Sequence, residues 1–187
     1  MAMNPRKTQS GFTLIEVMVS MLILAIGILA LLALFAQGVA TMQFAQEDLI
    51  AKQKAQETLE SIYAARNTQQ ITFDQIRNVS DPSGTGIFLD GWQNMLVAGN
   101  DGLLGTADDG PALDSMVFPG PDGLLNTPDD VVTPFSNFQR QILIEQVLLP
   151  GGAVNPDLRK LTVSVRYTSN KVQWKPFVVV SYVSRYR

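Results

Sequence analysis

The sequence predicts an α+β fold: a long N-terminal helix, membrane-spanning in its first half, packed on a small head built around an antiparallel sheet. Three observations carry that expectation. Thirty consecutive residues, Val17 to Gln46, bear no formal charge. Apolar residues then recur at threes and fours (Ala45, Ala51, Ala55, Leu59, Ile62), the spacing of one helix face. Near the C-terminus Leu161, Val163, Val165 and Tyr167 alternate with Thr162, Ser164, Arg166 and Thr168, the period of a half-buried strand.

Residues 1–11 are short, polar and basic, with Arg6 and Lys7 and no acid. The apolar run that follows is long enough for a bilayer, which takes about 20 such residues. Arg6 and Lys7 hold the N-terminus in the cytoplasm, so the rest faces the far side. One residue does not suit a plain anchor. Glu16 lies four residues after Phe12 at the mouth of the run. A carboxylate at bilayer depth costs about 2.5–3.5 kcal/mol at the helix centre and less near the edge. The chain offers no cation between Glu16 and Lys52. Its partner must come from another molecule or from a newly made N-terminal amine.

Gly11-Phe12-Thr13-Leu14-Ile15-Glu16 resembles the processing site of type IV prepilins and type II secretion pseudopilins. The resemblance covers about residues 6–45. It implies cleavage between Gly11 and Phe12 by a membrane-embedded prepilin peptidase, and N-methylation of Phe12. It also implies that Glu16 pairs with the N-terminal amine of a neighbouring subunit, which is the missing cation. The stretch Val17 to Leu31 looks most like PilV-type minor pilins, the type IV pilus modification proteins. The domain plan that follows is a leader at 1–11, a membrane and filament-core helix at 12–40, its amphipathic continuation at 41–66, and a periplasmic head at 67–187. A helix of 55 residues from Phe12 to Arg66 would be about 80 Å long. Gly38-Val39-Ala40 offers a competing reading, a signal-peptidase site that would discard the segment. That reading leaves Glu16 unexplained, and the apolar run is too long for a secretion signal.

Asn67-Thr68 is the expected stop of the helix, and Leu59, Ile62 and Tyr63 the residues that pack on the head. Strands are expected within 139–187: Gln139 to Leu149, then 161–168, then a hairpin partner from Val172 after a turn at Ser169-Asn170-Lys171. Pro176 marks that last strand as an edge. Arg159, Lys160, Arg166, Lys171, Lys175, Arg185 and Arg187 are expected on the exposed sheet face and turns, for solubility or to dock an acidic patch on a neighbouring pilin.

The middle, 81–134, reads as loop, with nine of the fourteen glycines and six of the ten prolines. Nine aspartates and no Lys or Arg lie between Asn78 and Gln139. Within it a repeat recurs at a period of 21. Asp101-Gly-Leu-Leu-Gly105-Thr-Ala-Asp108-Asp109 matches Asp122-Gly-Leu-Leu-Asn126-Thr-Pro-Asp129-Asp130 at seven of nine positions. Gly105 faces Asn126, and these residue types best tolerate positive φ. Calcium takes six to eight oxygens from carboxylates and carbonyls. Asp101, Asp108, Asp109, Asp122, Asp129 and Asp130 are the expected calcium ligands; the competing reading is a solvated acidic loop that binds nothing.

Composition narrows the function. The chain has no cysteine and no histidine, so disulfides, thiolate sites and His-based triads are absent. A net charge of -3 gives a nucleic-acid partner no electrostatic support. The sequence therefore predicts no enzyme. It predicts a minor pilin in the inner membrane, then at the pilus or cell surface, with other pilins and prepilin peptidase as partners. The alternatives are a minor pseudopilin of type II secretion and a secreted or membrane-anchored calcium-binding protein.

Overall fold

The structure, a computed structural model, describes residues 11–168 and 175–186. The fold is α+β, one long apolar helix and small antiparallel sheets, and it is consistent with a type IV pilin fold. The chain divides into two compact units, 1–45 and 46–187. Residues 1–10 of the leader, the turn at 169–171, the strand start expected at Val172 and Arg187 lie outside the described residues.

Helix α1 runs Leu14–Asn67. In the first unit residues 11–39 are exposed all round, and the segment is long and apolar enough to cross a membrane. Apolar side chains on every face suit a lipid or helix-packed environment rather than water. Ala45, expected on the head-packing stripe, is exposed and belongs to this unit.

In the second unit the helix buries Ala51, Ala55, Thr58, Leu59, Ile62 and Ala65, spaced by threes and fours. Tyr63 packs beside them, and its hydroxyl lies 2.6 Å from Ser181 Oγ. The helix stops where the chain supplies a left-handed residue. Gln69 has φ 65°, its N–H donates to Arg66 O, and the Gln70 N–H donates to Ala65 O. This double closure is a Schellman motif built without glycine.

The main sheet has strands β1 (Gln93–Asn94), β4 (Phe138–Leu148), β5 (Val154–Tyr167) and β6 (Lys175–Ser184), in the order β1-β4-β5-β6, all antiparallel. The residues from Gly91 to Val97 thus yield a two-residue strand. Pro176 sits in β6 at the sheet edge, where a missing N–H costs no ladder bond. The alternation sorts the side chains. Phe138, Ile142, Leu161, Val163, Val165, Tyr167 and Val183 are buried against the helix. On the other face Leu143, Thr162 and Val180 form one cross-strand row, and Gln141, Ser164 and Val178 the next.

Strand β1 covers only Gln139 and Arg140 of β4. Beyond them the Asn78 side chain takes over. Its Nδ2 donates to Ile142 O at 2.8 Å, and Ile144 N–H donates to its Oδ1 at 2.8 Å. One amide side chain thus does the work of one strand residue.

Strands β2 (Ser115–Phe118) and β3 (Val131–Pro134) pair as a separate two-stranded ribbon. The Gly/Pro-rich middle is therefore more than loop. It also feeds Phe88, Met95 and Leu103 into the core. Arg159 departs from the exposed position expected for it. It is 3% exposed, and its guanidinium stacks 4.3 Å from the Phe73 ring centroid. The period of two that turns Leu161 inward turns Arg159 inward as well.

Candidate functional site

Gly11, Phe12 and Thr13 precede the helix, and all three are exposed. Beyond its own chain neighbours, no atom of the described residues lies within 4 Å of where a Gly11 Cβ would stand. The segment expected to be cut is thus accessible at the helix entrance. Thr13 caps that entrance: its Oγ1 accepts from Glu16 N–H at 3.3 Å. Thr13 and Glu16 hold the N-cap and N3 positions of a capping-box spacing. Glu16 is the acid of the first turn, where the helix dipole favours a negative charge. The dipole lowers the cost of an ionised carboxylate there but does not neutralise it.

The structure keeps the two acidic repeats as separate loops with one backbone design. In the first, Asp101 Oδ1 accepts from Leu103 N–H, Asp109 Oδ2 from Gly105 N–H, and Asp108 Oδ1 from the Thr106 hydroxyl, each at 2.8 Å. In the second, Asp122 accepts from Leu124 at 2.9 Å, Asp130 from Asn126 at 2.7 Å, and Asp129 from Thr127 at 2.7 Å. Gly105 and Asn126 both have positive φ, 83° and 66°, as their alignment predicts.

The repeat reaches two residues further back than the nine matched positions. A Cβ at Gly99 would stand 2.3 Å from Asp108 Oδ2, and one at Gly120 would stand 2.3 Å from Asp129 Oδ2. Each carboxylate is thus folded tightly over a glycine.

These contacts bear on the calcium expectation. The six aspartates are divided three and three, and each set is turned onto N–H and hydroxyl donors of its own loop. Among the described residues no group of three or more acidic side chains is gathered as a metal site.

The first loop is fastened to the head. Asp109 forms an ion pair with Arg140 on β4 at 3.5 Å, and both side chains are nearly fully buried. Burial pushes the Asp109 carboxyl up from its ordinary value, while the Gly105 N–H and Arg140 pull it back. Burial likewise lowers Arg140, against Asp109. Arg140 is the residue that sequence reasoning passed over. Its signal was present, since Phe138 and Ile142 alternate inward and place residue 140 inward between them. Asp108 and Asp129 have lowered pKa values, chiefly through the Thr106 and Thr127 hydroxyls.

A family model described as the prokaryotic N-terminal methylation motif matches residues 6–32. The match takes in Gly11, Phe12 and Glu16, and it supports a type IV prepilin-like protein. With the long apolar helix it also supports membrane anchoring. Comparison with curated proteins finds no match, and neither does comparison with solved structures.

Proposed function

We propose that this chain is a minor pilin, a structural subunit that takes part in initiating, assembling or modifying a type IV pilus. Prepilin peptidase cuts between Gly11 and Phe12 and methylates Phe12. The apolar half of α1 then passes from the inner membrane into the filament core, and the head stands on the periplasmic side and later at the cell surface.

The observation that carries this reading is the isolation of Glu16. It is the one formal charge from Gly11 to Gln46, and it sits in the first helical turn, close to the bond to be cut. A buried charge requires a partner. Cleavage makes one, because the new α-amine of a neighbouring subunit is a cation of the right sign at the right depth. The minor-pilin assignment within the class draws on the stretch Val17 to Leu31, which looks most like PilV-type minor pilins.

The test is the intact mass and N-terminal sequence of the protein from native membranes. The expected chain begins at Phe12 with one added methyl group. A chain beginning near Thr41, or an uncut one, overturns the filament reading. Co-purification with pilus fibres rather than with a secretion complex then separates pilin from pseudopilin.

A further inference from the structure

The repeat places one loop design on the head twice and seats only one copy. Leu103 and Leu104 of the first loop are 1% and 5% exposed; Leu124 and Leu125 of the second are 62% and 56% exposed. Leu103 packs into the head core. Where the first loop meets the rest of the head, a cavity of about 460 Å³ opens, within the size range of small-molecule sites. The turn after α1 supplies Gln70 and Ile71 to it, and the short 3-10 turn Phe73–Gln75 supplies Gln75. Ile87 comes from the next segment, and Asp101 and Asp108 come from the loop. Chain segments far apart in sequence thus converge on one concave spot.

Two amides on its wall are each fixed at one end and open at the other. Gln75 Oε1 accepts from the Thr72 N–H at 2.8 Å and the Thr72 hydroxyl at 3.0 Å. Its Nε2 is left as a donor without a partner among the described residues. Gln70 Nε2 donates to Asp101 O, and Gln70 Oε1 is left as an acceptor without one. The carboxylates add further acceptors. Asp101 uses Oδ1 for the Leu103 N–H and leaves Oδ2 open. Asp108 accepts from the Thr106 hydroxyl and the Asp101 N–H, which fill two of its roughly four lone-pair sites. No Lys or Arg lines the cavity, and neither carboxylate has an ion pair among the described residues.

This inventory selects a ligand. Acceptors outnumber donors, so the ligand must mainly donate hydrogen bonds. Hydroxyl groups do so, and they also accept from Gln75 Nε2. Two carboxylates without a counter-charge favour a ligand that brings a cation. Ile71 and Ile87 offer aliphatic surface to C–H groups. A bare ammonium ion would leave Gln75 and that surface unused.

We propose that this cavity binds a saccharide unit that carries an amino group. Its hydroxyls bridge the two amides, and its ammonium group meets Asp101 and Asp108. The second loop repeats the polar set as Asp122, Thr127 and Asp129, but the walls at Gln70, Ile71, Gln75 and Ile87 belong to the first. The site lies wholly on the head and does not rest on the filament reading.

The test is saturation-transfer NMR on the full-length chain, solubilised in a detergent without a sugar head group. The probes are glucosamine, galactosamine, glucose, galactose and ethanolamine. Saturable binding of an amino sugar is expected. Its neutral counterpart should bind about tenfold more weakly, the weight of one charge-assisted hydrogen bond, and ethanolamine should not bind. Asp108→Asn should remove the preference for the amino sugar. Ala107→Phe, which enlarges an exposed residue of the cavity wall, should abolish saturable binding. Asp129→Asn, the matching change in the second loop, should bind as the wild-type chain does. Unchanged melting temperatures show that each variant folds. The proposal is overturned if neither amino sugar binds, if ethanolamine binds as tightly, or if folded Ala107→Phe chains still bind.

Discussion

The Arg140 guanidinium meets the Asp109 carboxylate at 3.5 Å with side-chain exposures of 1% and 5%. The pair ties an acidic loop to the inward face of a central strand. It is incompletely satisfied, because Asp109 Oδ1 and Arg140 Nε and Nη1 have no hydrogen-bond partner among the described residues. Removing one member leaves the other charged, buried and unpaired.

That asymmetry gives the first prediction. Asp109→Ala should lower head stability by about 3–5 kcal/mol, the range for breaking a buried ion pair. Asp130→Ala removes the corresponding loop bond in the second repeat, but Asp130 lies in an exposed loop and has no such ion pair among the described residues. Asp130 accepts from the Asn126 and Thr127 N–H groups and the Thr127 hydroxyl, and its cost should stay near ~1.5–3 kcal/mol, that of hydrogen bonding to a charged group. Urea unfolding of the solubilised full chain, followed by circular dichroism, compares them. Equal losses would contradict the seating of the first loop alone.

Asn78 supplies a second prediction. Its amide gives β4 both a donor and an acceptor at the two positions beyond the reach of β1. Asn78→Leu keeps the bulk and strips both bonds, leaving a buried N–H and C=O unpaired at about 1–3 kcal/mol each before relaxation. A clear drop in melting temperature is expected. Hydrogen exchange should accelerate at Ile144 N–H while Val163 N–H, deep in β5, keeps more protection. A variant with wild-type exchange at Ile144 would show that the amide does not serve as a strand partner.

Acid should weaken the head through Asp81. Hydrogen bonds from Ser83, and then the Arg77 guanidinium, hold its carboxyl down to about 2. The folded value lies below the unfolded one of about 3.9. Its stabilisation is therefore present above pH ~4 and lost as pH falls toward 2. Asp108 and Asp129 act in the same direction, and Asp109, raised by burial, acts in the opposite one. Melting temperatures at pH 6, 4, 3 and 2 should fall less steeply for Asp81→Asn than for the wild-type chain. Parallel curves would remove Asp81 as a source of acid sensitivity.

Much of this architecture is legible in the sequence because it is periodic. An uncharged run of thirty residues and an alternation from Leu161 to Tyr167 leave few choices for helix and strand. Strand β5 begins earlier than the alternation suggests, at Val154, because Asn155-Pro156-Asp157 reads locally as a break. There β5 is paired only at Val154 with β4, after a register shift, and β6 joins from Leu158. Arg140 and Arg159 occupy inward positions that the period alone would have assigned, but their charge argues for solvent. The two Leu-Leu pairs show a firmer limit. They are the same dipeptide in the same loop, yet one is core and one is surface. No local pattern separates them, since the difference lies in what the rest of the fold places beside each loop.

The duplication also divides the chain's tolerance of change. Substitutions in the first loop are answerable to Ile142, whose Cδ1 stands 2.5 Å from where a Gly105 Cβ would be, and to Arg140. The second loop keeps its shape from its own aspartates and threonine and answers to no core residue among those described. Exchanging its outward Leu124 and Leu125 is expected to leave foldability unchanged, because both are exposed. The head thus carries a fixed copy that keeps it folded and a spare copy free to diversify.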